Sequence, residues 1–287
     1  MRGGPEMMMQ PGMYGQNVQA NGNMGNANAA MMSVEHIMDT IKTGLYIRQQ
    51  MNALEIITGY DMQNKYFIHE LAPAGPDGKA HRKVLFQAHE TSDFIDRGCS
   101  PQGCRAIDVS INKWISGPEY PDRQVAIRLE KACQCTCYCA NRPELKVFIT
   151  EGGQDLYVGK IVDPWDCCNY AFKVYDAQDL VRFHVEAGCC QLGFHCKCPC
   201  EPCERIEFDL YSGDKVTKEV PILKLGTGNC VKNAVSNSDN FTVTFPANAT
   251  WKDKVLIMAT LLMIDYMMFE EKTNGSDNRK GIVRHHY

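Results

Sequence analysis

The chain has 287 residues, 44% hydrophobic and 22% charged, with a formal net charge of -4. That length supports one large domain or two small ones, and the composition is ordinary for a folded globular protein. The charge balance excludes a general nucleic-acid binder, which needs a basic face, so no nucleic-acid partner is expected.

Residues 1–33 are built largely from Met, Gly, Asn, Gln and Pro, with Arg2 and Glu6 the only charges. Such a segment has too few apolar anchors to offset its ordering entropy, so a disordered tail is expected, with its methionines available to protein partners. It contains no apolar h-region and therefore no expected secretory signal. The fifteen cysteines then face a reducing cytosol, where disulfides are not expected.

Ser33 opens a short helix with Ile37 and Ile41 one turn apart. Period-two alternation follows. Ile107, Val109 and Ile111 alternate with Asp108, Ser110 and Asn112, and Val125, Ile127 and Leu129 with Ala126, Arg128 and Glu130. Further strands are predicted over Leu156 to Val162, Tyr170 to Tyr175, Leu180 to Val185, Ile206 to Leu210 and Phe241 to Phe245, with turn signals at 76–78, 117–118, 152–153 and 212–214. Ten or more strands at this spacing predict a sandwich or a closed barrel, in one domain over 34–271 with a polar tail at 272–287. No Rossmann or P-loop glycine pattern interrupts them.

The last apolar stretch, Val255 to Phe269, predicts a helix over 254–270. It has two physical destinations: a single pass through a membrane, or the inside of its own barrel. At 1.5 Å per residue it reaches roughly 22 Å, short of a hydrocarbon core of roughly 30 Å. It also carries Asp265, an expensive group in lipid. The buried plug is the expectation, and it accounts for a helix apolar all round.

Cys133, Cys135, Cys137 and Cys139 stand at every second position, which on an extended segment puts four thiols on one face. Multiple S-acylation explains such a cluster, because several acyl chains anchor stably where one does not. A metal site and a purely structural role are the alternatives. Cys189-Cys190 followed by Cys196, Cys198, Cys200 and Cys203 form a second cluster, in which Cys200 and Cys203 with Cys196 or Cys198 have zinc-knuckle spacing; zinc, S-acylation and a bland cysteine-rich loop all stand. The stretch 237–248 reads as a turn feeding a strand with Asp239 its only carboxylate, poor material for calcium. The histidines are scattered without catalytic spacing, so no covalent catalyst is expected. The sequon at Asn274 becomes informative only if the preceding helix crosses a membrane.

Gln49, Gln50, Leu54, Glu55, Thr58, Gly59, Tyr60, Asn64, Lys65 and Tyr66 resemble the opening pattern of the phospholipid scramblase domain. Asp239-Asn240-Phe241 with Phe245-Pro246, and Leu262 to Glu270, resemble its end. The resemblance spans about residues 42–271. It implies a tubby-like fold, a closed β-barrel around a central C-terminal helix. It also implies calcium-responsive, ATP-independent movement of phospholipid between leaflets by a protein at the cytosolic face of the plasma membrane. Its palmitoylated cysteines correspond in place to Cys133 to Cys139. Its calcium segment falls on Asn237, Asp239, Phe241, Val243, Phe245 and Asn248, with Asn at the first and last positions where acids are usual, which implies weak binding. Nuclear import is not implied, since only Lys224 is basic between Val220 and Cys230. The remaining expected partners are the bilayer, anionic lipids, and further copies of the chain.

Overall fold

The period-two alternation closes on itself. The computed structural model describes residues 32–50, 64–72, 82–91, 105–114, 125–134, 141–166, 168–195, 203, 205–225 and 240–269. Within them run twelve strands: β1 (Gly44–Gln50), β2 (Lys65–Glu70), β3 (Val84–Glu90), β4 (Ile107–Lys113), β5 (Val125–Lys131), β6 (Glu144–Glu151), β7 (Gln154–Val162), β8 (Asn169–Asp176), β9 (Val181–Gly188), β10 (Arg205–Ser212), β11 (Ile222–Leu225) and β12 (Asn240–Thr244). Each pairs with its neighbours in chain order, and β12 returns to β1 with Thr244 opposite Gly44 and Asn240 opposite Arg48. Closure leaves no unpaired edge.

Alternate residues of each strand point inward and are buried, as with Leu45 and Ile47, Ile127 and Leu129, Val147 and Ile149. The outward positions between them carry charge, and they meet opposite charge: Arg128 with Glu130 and Asp155, Lys160 with Asp179, and Glu186 with Lys215 of the turn after β10. This is the reverse of a transmembrane barrel, whose outer band is apolar. At two places the wall needs glycine. Where β1 meets β12, a Cβ on Gly44 would lie 2.0 Å from the Val243 carbonyl oxygen. In β7 the register against β6 slips at Val158, a bulge, and a Cβ on the next residue, Gly159, would lie 2.1 Å from the Tyr175 carbonyl oxygen.

Among the described residues three helices accompany the barrel: α1 (Val34–Thr40), the single turn α2 (Leu192–His195) and α3 (Trp251–Ile264), which continues as a π-helical turn over Asp265–Phe269. Every residue of α3 from Asp253 to Ile264 is buried. Each fully buried aliphatic side chain there contributes about 1.5–3 kcal/mol, so the helix forms much of the core. In this structure it is the plug of the barrel, and among the described residues no helix is long and apolar enough to cross a membrane.

The helix starts at Trp251, three residues before the expected 254, because Thr250 and Asp253 form a capping box. The Thr250 backbone N–H and hydroxyl both donate to Asp253 Oδ2, at 2.9 and 2.7 Å, and Asp253 N–H donates back to Thr250 Oγ1 at 3.2 Å. Arg182 of β9 grips the same carboxylate with two bonds of 3.0 Å. Lys254 then donates to the carbonyls of Met38 and Ile41, 2.9 Å each, capping the C-terminus of α1. Burial holds this ammonium below its ordinary pKa range, Lys42 pushes the same way, and Asp39 opposes. One mouth of the barrel is thus closed by α1, whose Val34 and Met38, with the following Ile41, are buried.

Candidate functional site at the distal end of the barrel

Successive strands alternate in direction, so the connections β1–β2, β3–β4, β5–β6, β7–β8, β9–β10 and β11–β12 all belong to the end opposite α1. The helix finishes at that same distal end. Its last turns meet a buried charged network whose other members stand at or just outside strand ends. Tyr66, the second residue of β2, is fully buried and its hydroxyl donates to Asp265 Oδ2 at 2.5 Å. The Tyr66 and Tyr266 rings meet edge to face with centroids 5.9 Å apart. The Arg105 guanidinium lies 5.8 Å from the Tyr266 ring centroid and pairs with Glu90 at 3.2 Å. Glu90 Oε2 also accepts from the Asn64 backbone N–H and side-chain amide, at 3.3 and 3.1 Å, and Gln49 donates to Asn64 Oδ1 at 2.9 Å. Lys131 donates to the Arg105 carbonyl at 2.6 Å.

Glu90, Arg105, Lys131 and Asp265 are each 1–3% exposed. Two acids and two bases give a formally neutral set, which is how ions survive away from water. Gln49, Asn64 and Tyr66 come from the N-terminal pattern and Asp265 from the C-terminal one, so the two ends of the resemblance meet in one network. Glu90, Arg105 and Lys131 were not foreseen. The signal for two of them was available: Glu90 extends the inward series of Phe86 and Ala88, and Lys131 that of Ile127 and Leu129, so each is a charge at an apolar-face position. Arg105 precedes β4 and gave none.

The described thiols belong to connections at this same end. Cys133 is exposed two residues after β5; Cys135, Cys137 and Cys139 fall outside the described residues. Cys203 is half-buried between β9 and β10; Cys196, Cys198 and Cys200 fall outside the described residues. The Cys189 and Cys190 sulfurs are 3.7 Å apart, and His195 Nε2 lies 2.6 Å from the Cys189 carbonyl oxygen. Among the described residues no three His, Cys, Asp or Glu side chains are grouped to hold a metal ion. Phe194 of α2 stacks on Phe269 with centroids 6.0 Å apart, and Lys224 Nζ lies 4.1 Å from the same Phe269 ring, so an aromatic contact ties α2 to the end of the central helix.

Of the calcium segment, Asn237 and Asp239 fall outside the described residues. Phe241 and Val243 face the barrel interior from β12, Phe245 is buried just beyond it, and Asn248 is exposed at the α1 end. None of the three buried side chains offers an oxygen. β12 is extended and paired on both sides, so Asn240 and Asn248 stand toward opposite ends of the barrel.

A family model described as Scramblase matches residues 24–271. Phospholipid scramblase 1 of Rattus norvegicus is 26% identical over 244 residues, covering 83% of this chain and 63% of that protein. Phospholipid scramblase 1 of Homo sapiens is 24% identical over 242 residues, covering 83% and 66%. Phospholipid scramblase 2 of Bos taurus is 26% identical over 230 residues, covering 79% and 68%. The chain spans less than two thirds of the length of the first two. No solved structure matches it. With most of its length inside the family match and both ends of the family pattern joined at Asp265, the chain belongs to the scramblase family.

Proposed function

We propose that this protein promotes ATP-independent, bidirectional movement of phospholipids between membrane leaflets and so collapses their asymmetry. The observation that carries this reading is the family match over residues 24–271. The protein is a lipid mover and not a covalent catalyst. It sits at the cytosolic face of the plasma membrane, held by acyl chains on Cys133, Cys135, Cys137 and Cys139. Its response to calcium is weak, because Asn237 and Asn248 are neutral where hard cations need carboxylates. The barrel interior is filled by α3 and the inward side chains, so headgroups travel along the outside of the barrel or between copies of it.

The filled interior also favours a second reading, a membrane-tethered adaptor that binds lipids or proteins without moving lipid. Exposed bases gathered on one face would support anionic-lipid capture, whereas the wall pairs Lys160, Lys215 and Lys218 with acids. Transbilayer movement of a fluorescent phospholipid in vesicles containing the purified chain separates the two. Movement that rises with protein dose without ATP, and changes little at micromolar calcium, is the expected result. No movement with the protein folded and bound overturns it in favour of the adaptor.

A further inference from the structure

All fifteen cysteines fall, by sequence position, in connections that join strands at the distal end: Cys99 and Cys104 between β3 and β4, Cys133 to Cys139 between β5 and β6, Cys167 and Cys168 between β7 and β8, Cys189 to Cys203 between β9 and β10, and Cys230 between β11 and β12. None lies in a strand, in a connection at the α1 end, or in either terminal segment. Cysteine is among the most buried residue types, so described strands that carry none, with all fifteen in the connections of one end, depart from simple packing.

Three connections contribute exposed thiols among the described residues: Cys133, Cys168 and Cys190. Exposed apolar side chains share two of those connections, Trp165 at 51% beside Cys168 and Leu192 at 56% beside Cys190. The apolar end of the central helix, Met267 to Phe269, reaches the same end partly buried. Thiols from separate loops, interspersed with Trp and Leu on one end of a barrel with a charged wall, suit a bilayer surface.

We propose that Cys168 and Cys190 are S-acylation sites additional to the Cys133 to Cys139 cluster, so that anchors from three loops press the distal end against the membrane and turn α1 away from it. This deepens the membrane reading above and rests on it. The donor is a long-chain acyl-coenzyme A. The cysteine thiolate attacks the thioester carbonyl, the protein sulfur–carbonyl bond forms, and the bond to the coenzyme A sulfur breaks. Coenzyme A leaves as the thiol, carrying the proton that the cysteine gave up. A single acyl chain binds only marginally and two hold stably. Anchors on three loops also fix orientation, which chains on one loop cannot, since the barrel would pivot about it.

The test uses the full chain expressed in mammalian cells, with hydroxylamine-dependent mass tagging of thioesters mapped by peptide. A variant carrying Cys133→Ala, Cys135→Ala, Cys137→Ala and Cys139→Ala should keep tags on Cys168 and Cys190 and remain in the membrane fraction. Adding Cys168→Ser and Cys190→Ser should lower its membrane fraction about tenfold, as expected when the last anchors are removed. Thermal unfolding should be unchanged, because both thiols are exposed. Absence of hydroxylamine-sensitive tags on both residues in the unsubstituted chain overturns the proposal. So does stoichiometric zinc in the purified chain that is lost on Cys190→Ser. Lipid movement by the unacylated chain in vesicles is read independently, so failure here is distinguishable from failure of the membrane reading.

Discussion

Tyr66 and Asp265 stand 199 residues apart in sequence and 2.5 Å apart at the distal mouth of the barrel, where the tyrosine hydroxyl donates to the buried carboxylate. The bond ties the second strand to the last turn of the core helix, adding a side-chain link between the chain's two ends to the β1–β12 pairing that closes the barrel. It also explains how an acid is tolerated at the end of an apolar helix. Tyr66→Phe removes a donor to a buried charged acceptor and should cost about 1.5–3 kcal/mol in denaturant unfolding. Asp265→Asn keeps an acceptor for the hydroxyl but leaves the buried Arg105 and Lys131 one acid short, so it should cost at least as much.

At the other mouth, Asp253 serves the capping box and the Arg182 pair together. Asp253→Ala should lower stability by roughly 2–4 kcal/mol, since it removes a cap and leaves donors near the barrel mouth unpaired. Arg182→Ala should cost only about 1 kcal/mol, because its side chain is 42% exposed and water screens the loss. Equal losses for the two variants would contradict the assignment of the carboxylate as the shared anchor.

Much of this was legible in the sequence. The alternation at Ile107 to Ile111 and Val125 to Leu129 placed β4 and β5 within two residues, because one face of each is buried and the other wet. The apolar run predicted the plug, because a helix apolar all round must be buried on all sides and this one is short and carries Asp265, which disfavours a bilayer. The start of that helix was misplaced, since the periodic signal begins inside it while Thr250 and Asp253 carried the boundary. The distal network was only partly visible. Its strand-end charges look like ordinary loop-flanking charges until closure brings Glu90, Arg105 and Lys131 against a helix end far away in sequence.

Acid should weaken the fold through His69. Burial lowers its pKa first, and nearby Arg82 and Arg48 add repulsion, outweighing a backbone hydrogen bond to Arg82. A folded-state value below the ordinary 6.5 means that the unfolded chain binds more protons between the two values. This contribution is complete above 6.5 and is lost as pH falls through the folded-state value. Thermal midpoints measured from about pH 7.5 to about pH 5.5 should fall, and His69→Gln should flatten the profile.

The bulge in β7 gives a sharper steric test. A methyl at Gly159 meets the Tyr175 carbonyl oxygen at 2.1 Å, a backbone atom that cannot swing aside. Gly159→Ala should therefore cost about 1–3 kcal/mol, whereas Gly188→Ala, where a Cβ meets nothing, should come close to neutral.

The central structural claim is that the apolar C-terminal helix is the core of the barrel in the membrane-bound protein as well. Met258 and Met263 are buried in it, and a diazirine analogue of methionine replaces them with little change of shape. Photolysis of the analogue-labelled full chain on vesicles should give intramolecular cross-links from both positions to inward-facing residues of the barrel wall. Adducts with phospholipid acyl chains at Met258 or Met263 would contradict it, because they place the helix in the bilayer and leave the barrel without its core.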